Sequence, residues 1–275
     1  MKTNISHLLL KLLVAFVIAI IYFPTVIIMI LSFNKAPSVT FPITEFSLDW
    51  YIKKPIGSEY AALVSLMYDW GFWDALRNSI VASFIVAFLA AFLVTSSALA
   101  LRYKLRGRTL FFFLLLMGFL LPGATLGLGV VLLHKIFGWD YTIWSIVLVN
   151  TVYTVPFGLL LMMARFDPQL AEYERAASTL KAGPLQTFRR VTFPLIKWEV
   201  ISAAIMGFLL SWGELIRTQF VVRGIGVVST YIYNQLCINP LTPKWYAAGT
   251  IIAVVAFIGI FIIGTILGRG ARERI

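Results

Sequence analysis

Long uninterrupted apolar stretches constrain the fold of this 275-residue chain more than any other feature of its sequence. A helix needs about 20 predominantly apolar residues to cross the hydrocarbon core of a bilayer. Charged residues make up only 13% of the chain, whereas soluble domains carry about a quarter. We therefore predict an all-α integral membrane protein, a single domain over residues 1–275, with six transmembrane helices. Their predicted ranges are 8–32, 78–101, 110–133, 141–163, 198–222 and 245–267.

Proline and glycine interrupt the third predicted span. It carries Pro122, Gly123, Gly127 and Gly129 within eight residues. Such residues free backbone polar groups and thin the helix, which is tolerated where the helix faces protein or a water-filled path. We expect the third span to be broken at this point, and its glycines to serve helix packing.

The basic residues indicate how the spans are oriented. The chain has a formal net charge of +11, and its densest basic group is RYKLRGR, with Arg102, Lys104, Arg106 and Arg108. If both termini are inside, 15 of the 23 lysines and arginines lie on the inner side. The positive-inside rule therefore predicts cytoplasmic termini. The bases form no polar face with interleaved aromatic residues, so we expect a lipid bilayer and no nucleic acid as partner.

The longest polar segment on the predicted inner side is residues 167–196, between the fourth and fifth spans. Asp167 is a candidate N-cap, and Pro168 occupies the first helical position. Apolar residues then recur at helical spacing as far as Leu180. Gly183–Pro184 separates this predicted helix from a second short one. The spacing by itself is equally compatible with an ordinary solvated loop.

The run from Tyr173 to Ile196 resembles the "EAA" signature of permease subunits in binding-protein-dependent ABC importers. Two positions depart from that signature, since Arg175 stands where an acid is usual and Lys181 where a glycine is usual. Glu174 lies one place before the first, and Gly183 two places after the second. The matching positions are Ala176, Ala177, Gln186, Phe188, Arg189, Arg190, Val191, Thr192, Pro194 and Leu195.

Further motifs extend the resemblance over most of the chain. LRNSI at 76–80 and RYKLRGR resemble the start of the family core and the basic inner loop that follows it. SFN at 32–34, FSLDWY at 46–51 and LSWGELIRTQFV at 210–221 resemble the spermidine/putrescine permease subgroup. The resemblance implies a type I ABC importer permease fold in the bacterial cytoplasmic (inner) membrane. It also implies two ATPase subunits, an extracytoplasmic substrate-binding protein and a second permease subunit that is a different chain.

The resemblance also assigns a role to residues 167–196, which we call the coupling segment. No GxxxxGK[ST] phosphate loop occurs in the sequence, so ATP and Mg must be used by a partner ATPase. We expect the chain itself to bind no cofactor or metal and to have no catalytic site. Its helix is expected to dock in a groove of the ATPase. The expected coupling residues are Glu172, Glu174, Arg175, Ala176, Ala177, Leu180 and Gly183.

Ionisable residues inside a predicted span are costly and mark candidate solute contacts. Glu214 and Arg217 lie in the fifth span, where their i,i+3 spacing allows them to pair on one helix face. Glu214 can present a carboxylate to a cationic solute such as a polyamine, or the pair can satisfy only itself. Trp212, Asn150 and Tyr153 are candidates to line the same path with an aromatic face and hydrogen bonds, or simply to pack.

Two other functional classes are compatible with a polytopic chain. A secondary transporter or channel, not driven by ATP, would be expected to carry more intramembrane ionisable residues and an internal repeat. Only Glu214 and Arg217 qualify as intramembrane ionisable residues, and no internal repeat is visible. A membrane enzyme would need paired carboxylates, a metal cluster or a nucleophile beside a base; His7 and His134 are isolated. The importer permease is the favoured interpretation.

Overall fold

The structure, a computed structural model, describes residues 2–36, 38, 42–43, 45–53, 64–103, 106–166 and 169–272. The predicted cap at Asp167 and Pro168 lies outside the described residues. The helices are α1 (Lys2–Leu31), α2 (Asp49–Ile52), α3 (Trp70–Ala100), α4 (Arg108–Leu120), α5 (Gly123–Phe137), α6 (Ile143–Arg165), α7 (Leu170–Thr179), α8 (Pro184–Thr187), α9 (Phe193–Trp212), α10 (Thr218–Val221), α11 (Val228–Ile238) and α12 (Pro243–Arg272).

Within the described residues, five helices are long and apolar enough to cross a membrane. Two are α3 and α6, and two more lie at His7–Leu31 in α1 and Pro243–Ile262 in α12. The fifth, Pro184–Trp212, is a continuous helix in which a π-helical turn links α8 to α9. The predicted all-α membrane fold is confirmed.

The third predicted span consists of two helices rather than one. α4 and α5 meet at Leu121 and Pro122 with a bend of 106°, and they make a sixth span if the pair is counted as one. Proline lacks the backbone N–H that a continuing helix would use, and it disfavours a helical conformation in the residue before it. Leu121 is accordingly extended, with ψ of 134°.

The helix predicted at 198–222 occupies different residues in the structure. It begins at Pro184 and ends at Trp212, so the expected second short helix of the coupling segment is not separate from the span. Pro194 does not interrupt it because proline is tolerated in the first turn of α9, after the π-helical turn. The polar turns LQTFRR, which the sequence predicts as a separate short helix, therefore extend this helix.

The chain divides into two compact units, of which the first comprises residues 1–73 and 232–255. Its described part contains a buried ion pair, in which the Lys244 ammonium lies 2.7 Å from an Asp69 carboxylate oxygen. The other oxygen of Asp69 accepts the backbone N–H of Phe72. This bond caps α3 and explains why that helix starts at Trp70, ahead of the predicted position 78.

The second unit comprises residues 74–231 and 256–275, and two apolar clusters form its described core. One cluster joins α3, α6, α7 and α9 near the coupling segment. The other joins α3, α5, α6 and α10 near the opposite ends of α3 and α6. Since both clusters include α3 and α6, these two helices are the central elements of the unit's described core.

Glycine allows α3 and α9 to approach closely. A Cβ placed on Gly207 would lie 2.9 Å from the Ala90 Cβ, 3.0 Å from the Ala87 Cα and 3.2 Å from the Val86 carbonyl oxygen. Backbone atoms on this surface cannot move aside as a flexible side chain would. Small residues therefore set the distance between these two helices, as is usual for helices packed within membranes.

We predict that Gly207→Leu destabilises the protein by about 1–3 kcal/mol or more, because overpacking forces α9 away from α3. Gly129→Leu is the matched control, since a Cβ there meets nothing within 4 Å. The measurement is the apparent Tm of each purified variant in detergent. Equal Tm values for the two variants would contradict the packing described here.

Candidate functional site

The coupling segment folds as a short helix that turns sharply into the next span. α7 ends at Thr179, and the Ala182 backbone N–H donates back to the Ala177 carbonyl oxygen at 3.1 Å. Lys181 adopts the left-handed conformation with φ of 59°, whereas Gly183 has φ of −68°. A left-handed turn favours glycine, and Lys181 stands where the "EAA" signature has its usual glycine. The turn geometry thus fits that signature although the residue departs from it.

Glu174 faces the protein interior from α7. Its two carboxylate oxygens accept hydrogen bonds from both terminal nitrogens of Arg102, at 3.0 and 2.9 Å. The Thr192 hydroxyl donates a third bond, at 2.7 Å. The Arg102 and Glu174 side chains are only 20% and 22% exposed. We call these three residues the Glu174 cluster.

The charge of Glu174 is stabilised by its neighbours. Burial raises the pKa of the Glu174 carboxyl, but hydrogen bonds from Arg102 and Thr192 together with the Arg102 charge outweigh burial. The net result is a pKa below the ordinary value of 4.5. Glu174 is therefore ionised at neutral pH, and its carboxylate is held by its hydrogen bonds to Arg102 and Thr192.

The opposite side of α7 is open. Glu172, Arg175 and Ala176 are exposed and Ala177 is half-buried, while the Leu180 residue is 83% exposed at the end of the helix. A groove of about 440 Å³ runs along this side. Its lining residues are Tyr173, Ala176, Ala177, Leu180, Arg190, Val191, Pro194 and Leu195. The groove is largely apolar and is bordered by one basic residue.

Glu214 and Arg217 form an ion pair, but they do so in a turn rather than on a helix face. α9 ends at Trp212, and neither residue lies in a regular helix. The Arg217 guanidinium contacts the Glu214 carboxylate, and the Arg217 backbone N–H donates to the same group at 2.9 Å. Both side chains are about nine-tenths buried. The predicted pairing is present, whereas the predicted helical setting is wrong because α9 stops one residue before Gly213.

The other candidate path residues divide into two groups. Tyr153 joins the ion pair directly, since the Arg217 guanidinium carbon lies 3.4 Å from the centre of its ring. Asn150 lies beside the pair. Its amide nitrogen donates a hydrogen bond to the Ser211 hydroxyl at 3.1 Å, and its amide oxygen accepts one from the Thr218 hydroxyl at 3.4 Å. Trp212 is buried and stacks on Phe208 instead.

The break in the third span packs against the turn that holds the ion pair. A Cβ on Gly123 would lie 3.2 Å from the Arg217 side chain, and one on Gly127 would lie 2.8 Å from the Arg217 carbonyl oxygen. Two interrupted helices therefore meet at a buried pair of charges. Irregular backbone at membrane depth is tolerated where protein covers it, and such breaks often mark a solute site.

Sequence reasoning missed several residues of these sites. Arg102 was counted only as a basic residue of an inner loop, and nothing local indicates that it reaches Glu174. Thr218 was also missed, although it follows Arg217 directly. Glu199 is an acid inside the predicted fifth span, but it was not among the predicted buried ionisable residues. This residue is only 3% exposed in α9. The described residues contain no group of three His, Cys, Asp or Glu side chains placed to hold a metal ion.

Comparison with known proteins identifies relatives over most of the chain. Residues 93–273 match the family model described as "Binding-protein-dependent transport system inner membrane component". The sulfate transport system permease protein CysT of Salmonella typhimurium is 28% identical over 228 residues, covering 74% of this chain and 82% of that protein. The spermidine/putrescine transport system permease protein PotC of Haemophilus influenzae is 25% identical over 246 residues, covering 87% and 89%.

A solved structure shows the same fold. It is a bacterial ABC transporter involved in the import of the acidic polysaccharide alginate, and one of its chains superposes with a TM-score of 0.64. The match covers 98% of this chain and 97% of that chain at 15% identity.

The Glu174 cluster predicts a specific dependence of stability on pH. Because the folded-state pKa of Glu174 is below its unfolded value, the unfolded chain binds the proton first as pH falls. The stabilisation is therefore complete above about pH 4.5 and is lost as pH falls through the folded-state pKa. We predict that wild type exceeds Glu174→Gln in apparent Tm by a constant margin between about pH 5 and 7, and that this margin shrinks at lower pH. A margin that grows on acidification would contradict the cluster.

Proposed function

The chain belongs to the family of binding-protein-dependent transport system inner membrane components, and from this membership we propose that it passes a small solute into the cytoplasm. As a member it is a permease subunit of an ABC importer and has the type I permease fold. The observation on which the proposal chiefly rests is the match over residues 93–273, which contains the coupling segment. The fifth span continues directly from that segment.

Permeases of this family work with an ATPase, a binding protein and a second permease. We propose two ATPase subunits, an extracytoplasmic binding protein and a second permease that is a different chain. Both termini then lie in the cytoplasm, in agreement with the distribution of basic residues. The chain contributes no nucleotide chemistry of its own in this proposal, because its sequence has no phosphate loop. ATP and Mg act in the ATPase.

The open side of α7 is the proposed docking surface for the ATPase. It combines small residues, Ala176 and Ala177, with the exposed apolar Leu180 beside a groove of about 440 Å³. Exposed apolar surface next to a shallow groove is typical of a protein interaction site. Closure of the ATPase dimer would move α7, and the helix Pro184–Trp212 would follow it as a rigid body.

The proposed solute is a polyamine. Support comes from the subgroup motifs and from Glu214, a buried carboxylate beside the meeting of two helix breaks. Sulfate is an anion and spermidine is a cation, and permeases named for each are similarly related to this chain. A cationic solute would have to replace Arg217 at the Glu214 carboxylate. Tyr153 offers the same solute an aromatic face.

The alternative function considered from the sequence is a secondary transporter or channel that is not driven by ATP. One observation is in its favour, because Glu199 is buried in addition to Glu214 and Arg217. The family match and the absence of a visible internal repeat favour the importer.

We predict that Ala177→Lys uncouples the importer. A long charged side chain in the groove would hold the ATPase surface away from α7, so ATP-dependent uptake should fall by roughly tenfold or more while membrane insertion is unaffected. Thr179→Lys is the matched control because Thr179 is an exposed residue of α7 that does not line the groove. Uptake is measured in proteoliposomes containing the complete complex, with ATP enclosed in the lumen and the binding protein outside. Unchanged uptake by the Ala177 variant would count against docking at this surface.

We also predict that Glu214→Gln weakens polyamine import selectively. Loss of one charge-assisted contact costs about 1.5–3 kcal/mol, which corresponds to a rise in KM of roughly tenfold or more for labelled putrescine. Glu45→Gln is the control, since Glu45 is an exposed acid paired with Lys35. Wild-type vesicles should accumulate putrescine and not sulfate. Accumulation of sulfate alone would refute the polyamine proposal, and equal loss for every solute would assign Glu214 a structural role.

A further inference from the structure

Arg102 lies two residues after the end of α3, at the start of the basic loop. Its backbone N–H donates to the Leu99 carbonyl oxygen at 3.2 Å, which continues the final turn of that helix. Its side chain is mostly buried, although sequence analysis assigned it to an exposed basic loop. Any force on the Arg102 guanidinium is therefore applied to the end of α3.

The Arg102 side chain touches two neighbouring elements. Its guanidinium makes the paired hydrogen bonds to Glu174 on α7, and it lies 5.7 Å from the centre of the Phe166 ring, just after α6. Glu174 in turn accepts a hydrogen bond from the hydroxyl of Thr192, in the π-helical turn just before α9. A planar guanidinium that holds both oxygens of a carboxylate fixes orientation as well as distance.

An apolar cluster beneath these polar contacts joins the same elements. Ala98 and Leu101 of the second span pack with Leu170 of α7, Met162 of α6 and Ile196 of α9. All five are almost fully buried. Close-packed interiors transmit displacement because their side chains cannot yield independently. Polar and apolar contacts therefore connect α7 to the end of α3 as well as to α9.

Different residues of α7 therefore make different contacts. Glu174 and Leu170 fix the helix to the permease, whereas Ala177 and Leu180 line a groove between α7 and the helix Pro184–Trp212. An ion pair worth little at a solvated surface gains strength when it is bidentate and partly buried. Breaking the Glu174 cluster would free α7 to tilt on its own.

We propose that Arg102 is a positioning residue that couples α7 to the inner end of α3, so that the second span moves together with the fifth when the ATPase displaces α7. This inference rests on the proposed function, since it needs a partner that moves α7. It assigns Arg102 a mechanical role in addition to its role in topology. The group of helices that moves as one rigid body then comprises α3, α7 and the helix Pro184–Trp212, and we call this group the lever.

Distance measurements by double electron–electron resonance test this lever in the complete complex. The single cysteine, Cys237, is replaced by serine, and spin labels are placed at Tyr103→Cys and Thr179→Cys. A second pair joins Thr179→Cys to Trp139→Cys. These three residues are exposed. Each pair is measured without nucleotide and after trapping with ATP and vanadate, in complexes purified with the co-expressed ATPase, second permease and binding protein.

The proposal predicts that the 103–179 distance is the same in both states while the 139–179 distance changes. In Arg102→Met the 103–179 distance should shift or broaden on trapping, although ATP hydrolysis continues. The charge-swapped pair Arg102→Glu with Glu174→Arg should restore the fixed distance, and Arg102→Lys should restore it in part. These two variants also answer the question if Arg102→Met fails to assemble.

Three results would overturn the inference in distinguishable ways. If the 139–179 distance changes in wild type and the 103–179 distance changes with it, α3 is not part of the lever, but the proposed coupling through α7 survives. If neither distance changes on trapping in a complex that hydrolyses ATP, α7 does not move and the proposed coupling fails as well. A fixed 103–179 distance in Arg102→Met would likewise show that Arg102 is not the connection.

Discussion

The contact between Arg102 and Glu174 fixes the orientation of α7 relative to the end of α3. A short amphipathic helix at a membrane surface would ordinarily be free to rock, since its own hydrogen bonds leave its orientation unspecified. Two charge-assisted bonds from one guanidinium, with a third from Thr192, remove that freedom. α7 thereby becomes a fixed part of the permease, and its exposed residues form the surface on which we propose that the ATPase docks.

A second constraint is the requirement that backbone polar groups be satisfied inside a bilayer. Continuous helices meet this requirement by themselves, whereas interrupted helices need cover from their neighbours. Here the start of α5, just after the interruption of the third span, packs against the turn that follows α9. Their meeting point contains the buried pair of Glu214 and Arg217. A permease needs a region that can change conformation, and paired helix breaks supply one at modest cost.

Much of the fold could be predicted from the sequence because a bilayer admits few kinds of spanning structure, and a long apolar stretch marks a spanning helix. Apolar length predicted the spans, and Pro122 predicted the break between α4 and α5. The limits of the fifth span did not follow. The polar residues before Trp198 predict a separate short helix, although they continue the span, and the apolar pattern does not end where α9 ends at Trp212. The "EAA" signature located α7, but the left-handed turn fell on Lys181 instead of Gly183.

The site residues were predictable only where the pairing is local. Glu214 and Arg217 are three residues apart, so their contact could be expected from spacing. Arg102 and Glu174 are 72 residues apart, and only the packing of α3 against α6 and α7 brings them together. No local pattern encodes such a contact. The same limit applies to Asn150 and Thr218, which are joined across two helices.

The most direct test of the central claim, that a partner's nucleotide chemistry drives this chain through α7, is site-specific photocrosslinking at Ala177. A photoreactive amino acid at that position, in the complex purified from native membranes, is irradiated and the crosslinked peptides are identified by mass spectrometry. The account predicts a crosslink to a subunit that contains a GxxxxGK[ST] phosphate loop. A crosslink to an extracytoplasmic binding protein, or to lipid with no protein partner, would contradict it.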